Sequence, residues 1–160
     1  MYKTKNEIPE ANRVQIIEIL NSCLATTLDA GLNARQAHWN VKGPNFIALH
    51  KLFDQIYLRF GEYSDLIAER VVQLGGIAEG TAAFLTKRSI LRDYPISISD
   101  GLSHAEYLSD SLSMTAIQMR KAIDTCNEFR DANAADICTE ISRGIDKLLW
   151  TVEAHLQAPR

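Results

Sequence analysis

The chain has 160 residues, enough for one domain with a proper core, and its 46% hydrophobic and 23% charged residues exclude a disordered polymer. A net charge of −3, from 17 basic and 20 acidic residues, excludes a globally basic nucleic-acid binder. No apolar run reaches the roughly 18 residues that span a bilayer, and the start, MYKTKNEIPEANR, has no signal core, so the expectation is a cytoplasmic protein with no membrane partner.

Residues 1–9 read as a short tail. The first helix follows Pro9, which suits an early helical position, and runs to about Trp39 with Ile16, Leu20, Cys23 or Leu24, Thr27 and Gly31 as its apolar row. The second begins near Pro44 and stops at Gly75-Gly76. Its row, Phe46, Leu49, Phe53, Ile56, Phe60, Tyr63 and Ile67, advances in alternating steps of three and four, which is the seam of a packed bundle helix. A connection, IAEGTAAFLTKRSILRDYPISIS, has room for a short helix over Thr81 to Lys87. The third helix covers Asp100 to Glu128, opened by Ser103-His104-Ala105-Glu106, which resembles a capping box, with Ala105, Leu108, Leu112, Met119, Ile123 and Cys126 in its row. The fourth spans Asn133 to Gln157 through Ile137, Ile141, Ile145, Leu148, Val152 and Leu156, which leaves 158–160 as a tail. Cys23, Cys126 and Cys138 form no CxxC pair and fall in helical apolar patterns, as reduced core thiols do.

The connections set the topology. Helices one and two are joined by a few residues, as are three and four, so each pair is expected to be antiparallel. The second helix is about 45 Å long, and the connection after it, about 23 residues, can reach about 75 Å. It can therefore cross the bundle end to end. Two tight hairpins joined by one long crossover make an all-α, ferritin-like four-helix bundle over residues 10–157, with a short helix in the crossover.

Polar residues gather on the second helix. His50 and Asp54 are four apart, as are Asp65 and Glu69, so each pair shares a face. Relative to His50 the other three lie at about 40°, 60° and 100° around the axis, in one stripe beside the apolar seam. Two readings stand: solvated surface pairs, or ligands whose imidazole and carboxylate groups suit iron, manganese or zinc. One chain cannot close such a site. His50 and Asp65 lie about 22 Å apart along the helix, whereas ligands stand about 2 Å from a metal. As ligands they form two half-sites, which meet if the helix packs antiparallel on its copy across a twofold axis. His38, just before the tight turn, lies within reach of the first half. The Glu-x-x-His motifs of ordinary di-iron bundles are absent.

The stretch ARQAHWNVKGPNFIALHKLFD, followed by ERVVQLGG, YP and DKLLW, resembles the Dps family, the mini-ferritins of starved bacterial cells, from about Ile8 to Leu156. The resemblance implies a twelve-subunit hollow shell, built from twofold dimers, that oxidises Fe(II) with hydrogen peroxide in preference to dioxygen and stores the ferric product. It implies metal binding by His38, His50 and Asp54 of one subunit with Asp65 and Glu69 of its twofold partner, one or two irons per centre, and zinc as a substitute. It places Trp39 beside the centre, either as a redox-active neighbour or as simple interface packing. It places Asp136 at an iron-entry pore, although a first-turn helix acid accounts for that residue equally well.

DNA binding is expected to be weak or absent. Lys3 and Lys5 are followed closely by Glu7 and Glu10, and the C-terminus adds one arginine. His104 and His155 match no ligand position and are expected at the surface or in capping roles. The rivals to an iron-oxidising store are a DNA-packing nucleoid shell with a vestigial site, and a bundle that binds zinc or manganese without redox turnover.

Overall fold

The computed structural model describes residues 1–157, so the 158–160 tail lies outside the described residues. Five helices follow in order: α1 Glu10–Asn40, α2 Phe46–Gln73, α3 Ala82–Arg88, α4 Gly101–Glu128 and α5 Ala132–Glu153. The four long ones form the expected bundle, and α3 is the short helix of the crossover. The last helix ends at Glu153, with turns carrying the chain to Gln157, so it stops short of the expected limit.

Cross-helix contacts give the register. His38 meets His50, Gly31 faces the Phe60 Cβ, and Arg13 donates to the Leu74 carbonyl, so α1 and α2 run antiparallel. Arg120 reaches Ser142 and Asp146 while Cys126, farther along α4, meets Cys138, earlier on α5, so α4 and α5 are antiparallel. Asn12 bonds the Phe129 carbonyl, Gln118 bonds Ser22, and Asn33 bonds Tyr107, so α1 and α4 are antiparallel as well. Consequently α2 and α4 point the same way, and the crossover must travel the whole bundle. It does so along α1: Asn21 holds Ile77 and Glu79, Arg88 pairs with Glu18, Ser89 bonds Asp29, and Ser99 accepts from the Lys42 N–H.

The apolar rows are the core. Ile16, Leu20, Cys23, Leu49, Phe53, Ile56, Ile67, Met119, Ile141 and Ile145 are fully buried. Phe46 departs from its row and is exposed, because it opens α2 at the bundle end. The thiols are free and buried, and burial pushes Cys23 up to about 12, where it is an inert packing group. Arg70 on α2 and Asp131 ahead of α5 form a buried ion pair, and Asp131 also accepts from the Ala134 N–H to cap α5. Gly75 takes φ +85° at the end of α2, where a Cβ would stand 2.5 Å from the Tyr2 carbonyl oxygen. Gly144 lets the Tyr63 hydroxyl into space that a Cβ would meet at 1.8 Å.

Two expectations at the start of α4 are corrected. The cap is Asp100, whose carboxylate accepts from the Ser103 N–H, and not Ser103 itself. His104 is neither surface nor cap: it is fully buried, its Nδ1 bonded to the Tyr94 hydroxyl and its ring packed edge-on to Phe53. The crossover closes over α4 at this point, which no periodicity within α4 could reveal. His155 is half-buried.

Candidate metal centre

The α1–α2 hairpin brings His38 and His50 into mutual contact. Each Nδ1 lies 2.8 Å from the backbone carbonyl of the other residue, and the rings stack at 3.7 Å with 22° between their planes. A carbonyl can only accept, so both Nδ1 atoms carry a proton, and in the neutral tautomer that this fixes, each Nε2 keeps its lone pair. Ligand imidazoles in metal sites are held in this way, with the second nitrogen fixed by a backbone or carboxylate partner. The turn makes the clasp possible: α1 ends when Val41 becomes extended, and Gly43 at φ +107° reverses the chain. Phe46 lies tilted against His50 at 5.0 Å.

Asp54, one turn beyond His50, is half-buried and ion-paired through Oδ1 to Arg35 of α1. Arg35 was not singled out from the sequence. It stands three residues before His38, and its partner lies on another helix, so only a paired α1–α2 map would have exposed it. Trp39 is 67% exposed, with the Arg35 guanidinium 5.5 Å from its ring.

Asp65 and Glu69 lie farther along α2, exposed, and take part in no ion pair among the described residues. Among the described residues, no three His, Cys, Asp or Glu side chains converge where one metal ion could sit. A single chain thus brings His38, His50 and Asp54 to one end of α2 and leaves Asp65 and Glu69 apart from them. Between the two groups runs an apolar groove of about 450 Å³, lined by Leu28, Gly31, Leu32, Tyr57, Leu58 and Gly61. Leu32 and Leu58 are more than half exposed, and a Cβ at Gly61 would meet nothing within 4 Å. Asp136 is exposed near the start of α5, at the bundle end where Arg70 meets Asp131, far from the histidine pair. Among the described residues, no helix is long and apolar enough to cross a membrane.

A family profile described as a ferritin-like domain matches residues 17–160. A DNA protection during starvation protein from Agrobacterium fabrum is 44% identical over 98% of this chain and 96% of its own length. A Dps structure from Mycobacterium smegmatis superposes with a TM-score of 0.93 at 26% identity, covering 99% of this chain and 95% of that one. The Dps protein of Vibrio cholerae O1, described as a member of a broad superfamily of ferritin-like diiron-carboxylate proteins, gives 0.91 at 25% identity over 98% of both chains.

Proposed function

Since the chain belongs to the Dps family of ferritin-like proteins, we propose that it is an iron-storing mini-ferritin that oxidises Fe(II) with hydrogen peroxide, and more slowly with dioxygen, at centres shared between subunits. The observation that carries this reading is the reciprocal clasp of His38 and His50, which leaves the Nε2 lone pair of each neutral ring free, with Asp54 one helical turn beyond His50. In this reading the three residues face the partner subunit's Asp65 and Glu69, twice per dimer. The groove between the half-sites, with its exposed Leu32 and Leu58, supports a second copy covering this stretch of α1 and α2.

Iron is the substrate, one or two ions per centre, and zinc is an inert substitute. The donor set suits the oxidation: two neutral imidazoles bind a divalent ion, and three carboxylates favour the higher charge of the ferric product. Two Fe(II) supply both electrons that hydrogen peroxide needs, giving two Fe(III) and, with two protons, two waters. No hydroxyl radical is then released, which protects the cell. Trp39 takes up an oxidising equivalent when only one iron is present, and the ferric product moves into a hollow dodecamer whose entry pores Asp136 lines.

The test is anaerobic addition of Fe(II) followed by hydrogen peroxide, with ferric absorbance and particle size followed in time. Peroxide-dependent oxidation above the protein-free rate, into particles of unchanged size, is expected. A rate equal to the protein-free control would overturn the reading.

A second reading, a DNA-binding nucleoid shell, is favoured by the name of the relatives and by the exposed Lys3 and Lys5. The Tyr2 N–H, however, donates to the Gly75 carbonyl at 2.8 Å, so the arm lies against the bundle in an acidic chain. A gel shift across a salt series separates the two: no tight binding is expected above about 150 mM salt, and tight binding there would favour the second reading.

A further inference from the structure

Arg35 carries an inference that rests on the proposed metal site. Its guanidinium pairs with Asp54, while its centre lies 4.7 Å from the Tyr57 ring and 5.5 Å from the Trp39 ring. Trp39 stands one turn beyond Arg35 on α1, and Tyr57 stands three residues beyond Asp54 on α2. One aromatic ring from each helix therefore flanks the cation beside the carboxylate. The two charged side chains are only 30% and 39% exposed, so solvent screens them less than an open surface pair.

We propose that Arg35 is a resident counter-cation of the half-site, from which an incoming divalent metal must take Asp54, so that the metal is held loosely enough to pass on. Two effects oppose each other. By orienting Asp54, Arg35 helps a metal find its ligand. Against this, Arg35 occupies Oδ1 and sets a fixed positive charge next to a dication, a repulsion doubled by the metal's charge. Orientation is the weaker effect here, because the histidine clasp already fixes the other two donors without Arg35. A centre that must hand each ferric ion to a mineral works better with an exchangeable ligand than with a tight one. Arg35 acts through Asp54 and is a positioning residue.

Calorimetric titration of the assembled protein with Zn²⁺ reads the affinity without redox turnover. Arg35→Met keeps an apolar chain between the rings and removes the charge, and it is expected to bind zinc about tenfold more tightly or better. Arg35→Lys restores the charge and is expected to stay near the wild type, an outcome that a merely structural role for the side chain does not produce. Tyr57→Leu, which loosens the cation from its nearer ring, is expected to fall between them and carries the test alone if Arg35→Met does not fold. Unchanged or weaker zinc binding in both Arg35→Met and Tyr57→Leu overturns the proposal. A wild-type protein that binds no zinc, or binds it identically after Asp65→Ala, overturns the shared centre itself and this proposal with it.

Discussion

The two ends of the polar stripe on α2 are built in opposite ways. At one end His38 and His50 fix each other's rings and Asp54 is already paired with Arg35, all within one chain. At the other end Asp65 and Glu69 stand exposed with no counter-charge among the described residues. The first half is pre-organised by the hairpin turn, and its preparation contributes to the stability of the fold. The second half is a bare acidic pair whose use depends on what is brought against it.

The sharpest way to break this contrast is to separate the halves genetically. His50→Ala and Asp65→Ala chains are each expected to lose ferrous oxidation by about 100-fold. Assembled together at random they should recover about a quarter of wild-type activity, since half of the dimers are mixed and each mixed dimer rebuilds one of its two centres. Mixed assemblies no more active than the unmixed controls would show that the halves do not meet. Leu58→Glu tests the surface between them: the side chain is 58% exposed, so the chain should fold, yet size-exclusion chromatography should find it dissociated and zinc binding should be lost.

A smaller effect separates the halves by stability. His50→Ala removes the ring stack and one hydrogen bond of the clasp, and a urea titration should show a loss of about 1–2 kcal/mol. Asp65→Asn should leave the midpoint where it was, because within the chain the exposed side chain makes no ion pair among the described residues. The smallest expected effect lies at His104. Burial holds its imidazole below the ordinary 6.5, so the folded state binds this proton less readily than the unfolded chain does. Stability from this residue is present above pH 6.5 and lost as pH falls below it. Urea midpoints should therefore decline between pH 7 and pH 5.5, and His104→Gln should flatten that decline.

Most of the bundle was legible in the chain because amphipathic periodicity is a local property. The alternation of three and four from Leu49 to Ile67 required one buried stripe, and the stripe is buried. The short links required antiparallel neighbours, and the register of His38 with His50 and Arg13 with Leu74 has that sense. The fault at α4 was also local: the Ser103 to Glu106 pattern resembles a capping box, but the carboxylate that reaches the Ser103 N–H belongs to Asp100, three residues earlier. His104 was misjudged for another reason. Its burial comes from Tyr94 in the crossover, and crossover packing has no periodicity to read.

By itself the sequence determined the helices, their pairing, and the incompatibility of His50 and Asp65 in one site, since helical rise alone holds them about 22 Å apart. Tertiary structure alone decided how the donors are prepared. The tautomer of His38 and His50 follows from two carbonyls on facing helices, and the pairing of Arg35 with Asp54 follows from one turn of α1 lying against one turn of α2. Periodicity specifies which face of a helix is buried. Which atom on one face meets which atom on the next depends on how the helices dock, and docking is set by the packing of the whole core.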